Sequence, residues 1–152
     1  MFSIRIDDLQ DERVQDLLRL HLRGMHANSP PGAVFALDLS GLRRPGITAW
    51  TAWQGERVAG IGALRDLGGL QGEVKSMRTH PDFLRRGVGA LVLETIIGAA
   101  RAAGMARLSL ETGSGPAFEP ALALYRRRGF LPGDAFGDYE ASAFNQFLHL
   151  SL

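Results

Sequence analysis

The 152-residue sequence contains no cysteine, so it has no disulfide, no thiolate zinc site and no cysteine nucleophile. It also lacks a long apolar run. The longest, from Val88 to Ala100, is interrupted by Glu94 and Thr95, and it falls short of the roughly 18–20 residues that span a membrane. The N-terminus shows no basic segment followed by an apolar stretch, the pattern of a secretory signal. We therefore expect a cytoplasmic protein with no membrane partner.

Neither sign of charge is in excess. Seventeen Lys and Arg residues face sixteen Asp and Glu residues, for a formal charge of +1. This balance argues against a dedicated nucleic-acid partner. Lysine is almost absent, since Lys75 is an isolated lysine among arginines, and arginine is the better bidentate partner of phosphate. The four histidines show no metal-ligand spacing such as His-x-x-x-His, so we expect no metal site.

The length corresponds to a single domain over residues 1–152. Apolar periodicity and turn residues predict the element order β-α-α-β-β-β-α-β-α-β. This order is typical of an α/β or α+β domain around one mixed sheet. The predicted strands are 2–6, 47–54, 57–67, 73–79, 107–112 and 144–152, and the predicted helices follow Asp11, cover 33–42 and 87–103, and end at Gly129.

A glycine-rich turn, Leu-Arg-Arg-Gly-Val-Gly-Ala at 84–90, precedes the most regular predicted helix. Glycines let the backbone approach a ligand closely, and a helix start offers unpaired N–H groups with partial positive charge. With Arg85 and Arg86 beside it, the turn predicts a phosphate site. The alternative is a plain strand-to-helix turn with solvated arginines. A dinucleotide fingerprint fails because Val92 stands where a third small residue is required, and the chain has no Gly-Lys-Ser/Thr tripeptide.

Two motifs carry a resemblance to a known family. Residues 77–90, MRTHPDFLRRGVGA, resemble the acetyl-CoA-binding motif of the GNAT N-acetyltransferases, and 121–130, ALALYRRRGF, resemble their second signature. Their order and separation, and the predicted strand order, match the family over nearly the whole chain. Segments 29–31, 36–38, 73–79 and 108–113 further resemble a bacterial YsnE-like subgroup. The resemblance implies a GNAT-like fold: a mixed, mostly antiparallel sheet with a central splayed parallel strand pair, flanked by about four helices.

The resemblance implies acetyl-CoA as co-substrate, lying between strands 73–79 and 107–112, with pantetheine paired to one strand and pyrophosphate wrapped by the glycine turn. Leu84 stands where the family usually has Gln or Arg, and Phe118 where it often has Asn, which leaves one pantetheine hydrogen bond unassigned. The implied cofactor-binding residues are Met77, Arg78, Thr79, Leu84, Arg85, Arg86, Gly87, Val88, Gly89, Ala90, Phe118 and Tyr125.

The family chemistry implies direct attack of an amine on the thioester, with a backbone N–H near Met77 polarising the carbonyl. Tyr125 matches the family's acid for the leaving thiolate, although a helix-end tyrosine is also typical of a packed core. Glu73 is a candidate general base or the partner of Lys75 in a surface ion pair. Strand alternation places Glu73, Lys75 and Met77 on one face.

Four further residues are candidates for binding the acceptor: His26, Ser29, Glu111 and Tyr139. For Glu111 three roles are open: a base, a partner for a cationic acceptor, or a carboxylate that braces a loop. For His26 two are open: a group that takes a proton, or an exposed polar residue. The first functional hypothesis is an acetyl-CoA-dependent N-acetyltransferase for a small amine, amino-acid-like or polyamine-like. The alternatives are an acyl-CoA sensor without turnover and an acetyltransferase for protein N-termini or lysines. Family habit and the apolar last strand suggest a homodimer.

Overall fold

Seven strands form one sheet in the order β1-β2-β3-β4-β5-β7-β6 in the computed structural model, which describes residues 1–152. All neighbouring strands are antiparallel except β4 and β5, which are parallel. The predicted mixed, mostly antiparallel sheet is thus confirmed, with one short strand, β6, that the sequence pattern did not indicate. The strands are β1 Ser3–Ile6, β2 Ile47–Gln54, β3 Arg57–Gly68, β4 Gln71–Thr79, β5 Arg107–Thr112, β6 Leu131–Pro132 and β7 Gln146–Ser151.

Four α-helices accompany the sheet, as predicted: α1 Glu12–Ala27, α2 Leu39–Leu42, α3 Val88–Ala102 and α4 Glu119–Arg128. The second is shorter than the predicted 33–42. Asp11 caps α1, because its carboxylate accepts a hydrogen bond from the Arg13 N–H. Gly129 ends α4 in the left-handed conformation, with φ of 104°. None of the helices has the length and apolar character needed to cross a bilayer.

The sheet buries both of its faces. One face packs against α3 and α4 and contributes to the larger apolar core, which includes Trp50, Ile96 and Leu122. The other face packs under α1 in a smaller core that includes Leu17 and Trp53. The two tryptophans therefore lie on opposite faces, as their spacing predicted.

The parallel pair separates soon after it forms. Strand β4 pairs with β5 only from Gln71 to Glu73, opposite Arg107 to Ser109. We call the gap between residues 74–79 of β4 and 110–112 of β5 the fork. Along the fork, β4 keeps its pairing with β3 on one edge while its other edge has no strand partner. Backbone N–H and C=O groups are therefore available on that edge.

A β-bulge at Ser76 corrects one prediction about side-chain direction. Ser76 has a φ of 58°, and the register with β3 shifts between Ile61 and Ala63 at this point. The extra residue reverses the alternation. Met77 consequently packs against the α3 core rather than sharing a face with Glu73 and Lys75. The prediction that all three share one face is wrong for Met77.

Candidate active site

The fork leads to the N-terminus of α3. Gly87 begins the helix with a φ of 82°, and no side chain caps it. The first hydrogen bond within the helix runs from the Leu91 N–H to the Gly87 carbonyl at 3.0 Å, so the N–H groups of residues 88–90 have no partner in the chain. Arg85 just before the turn also has a positive φ, 60°. Unpaired N–H groups at a helix start form a site suited to an anion such as phosphate.

A groove of about 470 Å³ lies beside this turn, between α3 and α4. Arg128 forms an ion pair with Glu94, whereas Arg85 and Arg127 take part in none of the ion pairs of the chain. The groove therefore carries uncompensated positive charge. Its lining residues are Arg85, Gly87, Ala90, Leu93, Glu94, Leu124, Arg127 and Arg128.

Other residues of the predicted donor site lie elsewhere. The Arg86 guanidinium lies over the rings of Phe2 and Phe83, 5.2 and 5.3 Å from their centroids, and does not line the groove. The Val88 side chain is buried in the core, so only its backbone N–H is available at the turn. Leu84 is 58% exposed. Phe118 is buried and packs edge-to-face against Phe144, so it offers apolar contact only.

Tyr125 lies near the end of α4, with its side chain packed into the larger core and its ring 5.7 Å from that of Phe130. Burial raises the pKa of Tyr125 above its ordinary value. The phenol therefore keeps its proton at neutral pH, which is the state in which it can donate a hydrogen bond to a thiolate. Both sequence interpretations of Tyr125, a packed aromatic and a proton donor, are compatible with this position.

On the opposite face of the sheet, four predicted or neighbouring polar residues form what we call the polar cluster: Glu73, Lys75, Glu111 and Tyr139. Glu73 has a side chain only 2% exposed. Its Oε2 accepts a hydrogen bond from the Tyr139 hydroxyl at 2.5 Å and lies 3.3 Å from Lys75 Nζ. Arg65 lies farther away, at 3.9 Å from Oε1. Glu73 thus forms the predicted ion pair with Lys75, but the pair is buried, so its predicted place at the surface is wrong.

Lys75 connects three segments of the chain. Its ammonium donates to Glu73 Oε2, to the Tyr139 hydroxyl oxygen at 2.9 Å and to the Phe35 carbonyl at 3.4 Å. The rings of Phe35 and Tyr139 also meet edge-to-face, 5.3 Å apart. Lys75 therefore holds the segment after α1 and the segment before β7 together over this face of the sheet.

Glu111 belongs to the same cluster but makes no hydrogen bond or ion pair. It lies two residues after Ser109, the last residue of β5 that pairs with β4, and it is partly buried. Burial raises the pKa of Glu111 to about 7, while the charge of Lys75 lowers it and that of Glu73 raises it. Glu111 is therefore a carboxyl group that exchanges its proton near neutral pH.

The remaining candidates are not part of this cluster. His26 and Ser29 line a second groove of about 350 Å³, together with Pro30, Pro31, Gly32 and Val34, and they share no hydrogen bond or ion pair with the polar cluster. Arg78 packs against α1, where its Nε donates to His21 Nδ1 at 2.9 Å. No group of three or more histidines and carboxylates that could hold a metal ion is present.

Sequence reasoning overlooked some residues of these sites. Arg127 was visible in the arginine run 126–128, but only the packing of α4 beside the glycine turn assigns it to the groove. Phe35 and Arg65 had no distinguishing signal, because they meet the polar cluster through contacts between distant segments.

The splayed parallel strand pair and the uncapped helix start together place an unpaired strand edge next to a site suited to an anion. The chain matches the acetyltransferase (GNAT) family over residues 12–130. It belongs to this family, and it is an N-acetyltransferase.

Two bacterial relatives are similar over almost the whole chain. The chain is 49% identical over 136 residues to the uncharacterized N-acetyltransferase YsnE of Bacillus subtilis, covering 90% of each protein. It is 45% identical over 152 residues to the uncharacterized N-acetyltransferase YedL of Escherichia coli, covering 100% of this chain and 96% of the relative. The resemblance to a YsnE-like subgroup is confirmed.

Solved structures share the fold. A Klebsiella pneumoniae protein assigned as an acyl-CoA N-acyltransferase has a TM-score of 0.84 and 25% identity, covering 100% of this chain and 98% of that one. A Bacillus subtilis acetyltransferase in complex with CoA has a TM-score of 0.73 and 19% identity, covering 100% and 99%. The GNAT fold is thereby confirmed, and the second structure is a coenzyme A complex of the same fold.

Proposed function

We propose that this protein transfers the acetyl group of acetyl-CoA to the amine of a small molecule, which attacks the thioester directly while both substrates are bound. The observation that carries this proposal is the unpaired edge of β4 along the fork, which leads without interruption to the uncapped start of α3. An extended ligand with amide groups can pair with such an edge as an added strand. Pantetheine is a ligand of this kind, and the diphosphate that follows it suits the helix start.

The donor contacts follow from this placement. The backbone of Met77 and Thr79 pairs with the pantetheine amides along the fork. The N–H groups of residues 88–90 bind the pyrophosphate, and Gly87 and Gly89 allow the close approach of the backbone. Arg85 and Arg127 supply positive charge from the groove for the phosphates of the nucleotide end. Arg86 contributes through its backbone, since its side chain lies over Phe2 and Phe83.

In the reaction, the amine nitrogen bonds to the thioester carbonyl carbon and loses one proton to a carboxylate of the polar cluster. The carbonyl oxygen takes negative charge, which a backbone N–H near Met77 stabilises. The carbon–sulfur bond then breaks, and the departing thiolate receives a proton from Tyr125. The products are the acetylated amine and free CoA.

The closure of the polar face supports a small acceptor. Lys75 ties the Phe35 segment and Tyr139 together over this face, with the two rings in contact. A covered face suits a small amine, whereas a protein N-terminus or a lysine on a protein surface requires an open groove. The two carboxylates of the cluster also favour turnover over simple sensing, because binding acyl-CoA alone has no use for a proton acceptor.

Calorimetric titration with acetyl-CoA tests the proposal. We expect micromolar binding, about −8 kcal/mol, that weakens by at least about tenfold in Arg85→Ala/Arg127→Ala, since two charge-assisted phosphate contacts are lost. Arg101→Ala, an exposed arginine at the other end of α3, is the matched control and should bind as the wild type does. A folded wild-type protein that binds neither acetyl-CoA nor CoA would refute the proposal. Release of CoA thiol with a panel of amines then identifies the acceptor.

A further inference from the structure

We propose that Glu111 is the catalytic residue that removes the proton from the attacking amine, and that Glu73 is a positioning residue that anchors Lys75 and Tyr139. This inference rests on the proposed acetyl transfer and assigns the two carboxylates of the polar cluster to different tasks. Both lie next to the fork and on the same face of the sheet, but they differ in their position along it and in their partners.

The two carboxylates differ in where they stand along the fork. Glu73 pairs with Ser109 at the last position where β4 and β5 are joined. Glu111 comes two residues later on β5, past the point of separation, and alternation places its side chain on the same face as that of Ser109. An amine above the fork that attacks a thioester within it therefore meets Glu111, whereas Glu73 lies at the closed end.

The two carboxylates also differ in their partners. Glu73 Oε2 accepts from Tyr139 at 2.5 Å and from Lys75 at 3.3 Å, and the side chain is 2% exposed. Taking a proton at Glu73 would disrupt the ion pair that holds Lys75, and through it the segments that cover this face of the sheet. The Glu111 side chain can take a proton without breaking such contacts, because none of the hydrogen bonds or ion pairs of the chain involves it.

The surroundings of Glu111 suit a base. The charged and titratable groups around it are Glu73 and Lys75 on β4, Arg65 on β3, Tyr139 before β7, and His149 on β7. Burial outweighs the attraction of Lys75 and raises the pKa of Glu111 to about 7. A carboxylate with this pKa holds a proton far better than an ordinary one, yet a large fraction of it is ionised at neutral pH, which is what a general base requires.

The proton balance is simple. The ionised Glu111 takes one proton from the nitrogen as the N–C bond forms, and Tyr125 gives one proton to the sulfur as the C–S bond breaks. Both groups return to their starting states by exchange with solvent after the products leave, so no further reactant is needed.

The test compares Glu111→Gln, Glu73→Gln and the exposed control Glu56→Gln. The first readout is a ¹³C NMR titration of side-chain-labelled glutamate, in which the signal that disappears in Glu111→Gln should titrate near pH 7. The second is CoA thiol release from acetyl-CoA as a function of pH, with n-butylamine as the added nucleophile and water as the background one. We expect the rate to rise through an inflection near pH 7 in the wild type and in Glu56→Gln. Glu73→Gln should keep an inflection but at a lower pH, because the charge of Glu73 raises the pKa of Glu111.

Glu111→Gln should lose this inflection and at least about 100-fold in rate, the usual contribution of a general base. Glu73→Gln should instead raise the KM for the amine and speed hydrogen exchange in the segments around Phe35 and Tyr139. A Glu111 carboxyl that titrates below pH 5, or an inflection that disappears in Glu73→Gln and persists in Glu111→Gln, would overturn the assignment. Calorimetry with acetyl-CoA separates the two failures, since a wild type that binds no acetyl-CoA contradicts the acetyl transfer itself.

Discussion

His21 should make the stability of this protein depend on pH. His21 belongs to α1, its side chain is buried, and its Nδ1 accepts a hydrogen bond from Arg78. Burial, helped by the positive charge of Arg78, lowers the pKa of His21 from 6.5 to about 4. Below pH 6.5 the unfolded chain therefore binds a proton at this position while the folded protein does not. By proton linkage, the free energy of unfolding must then fall as the pH is lowered from 6.5 towards 4.

The size of the effect follows from the two pKa values. Their difference, 6.5 minus about 4, is about 2.5, which corresponds to about 3.4 kcal/mol once the pH lies below both. At pH 5 the imidazole is almost fully protonated in the unfolded chain and still mostly neutral in the folded protein. The loss between pH 7 and pH 5 is then about 2 kcal/mol, a large share of the stability of an ordinary domain.

Urea unfolding of the wild type and of His21→Gln at pH 7 and pH 5 measures this loss. A glutamine oxygen can accept the Arg78 hydrogen bond but does not titrate. The difference in unfolding free energy between the two proteins cancels the contribution of all the other groups. Between pH 7 and pH 5, the wild type should lose about 2 kcal/mol more unfolding free energy than His21→Gln does. A change below about 0.5 kcal/mol would show that burial does not hold His21 neutral.

Four other substitutions have defined outcomes. Gly62→Ala should lower the unfolding free energy by about 1–3 kcal/mol in urea melts, because a Cβ there would lie 2.5 Å from a methyl of Val92; unchanged stability would mean that α3 shifts freely. Tyr125→Phe should lower kcat by about 100-fold and leave acetyl-CoA affinity unchanged in calorimetry; an unchanged kcat would make Tyr125 a packing residue. Lys75→Met should speed hydrogen exchange in residues 28–38 and 133–145, and equal protection would exclude the linking role of Lys75. Glu111 should affect the pH dependence of stability in the direction opposite to His21. Its raised pKa means that the folded protein binds a proton at higher pH than the unfolded chain does. The unfolding free energy of the wild type should therefore rise relative to that of Glu111→Gln as pH falls from 7 towards 4.5. Urea melts that show the variant gaining instead would contradict the raised pKa.

Several features of the fold and of the donor site could be predicted because they depend on neighbouring residues. Asp11 caps α1 and Gly129 ends α4 through local backbone geometry. The glycine turn at 84–90 predicted an uncapped helix start, and the structure has one. The opposite faces of Trp50 and Trp53 follow from alternation along a regular strand.

Other features could not be predicted because they depend on contacts between distant segments. Alternation failed at Met77, since the bulge at Ser76 adds a residue whose position depends on the pairing of β4 with β3. Arg85 and Arg86 are equivalent in the sequence, yet the first lines the groove. The second lies over the rings of Phe2, just before β1, and Phe83, in the turn before α3.

The sequence by itself determined the order of the elements apart from β6, the donor motif, the family and the set of residues able to carry acid–base chemistry, because these depend on residue type and short spacing. Only the tertiary structure decided which of those residues pair with one another and which stay unpaired. Lys75 and Tyr139 are 64 positions apart, yet they meet at 2.9 Å and engage Glu73, while Glu111 stays unpaired beyond the point where the strands separate. Burial and charge at a carboxyl group are sums over neighbours from several segments, and those neighbours are defined only once the chain has folded.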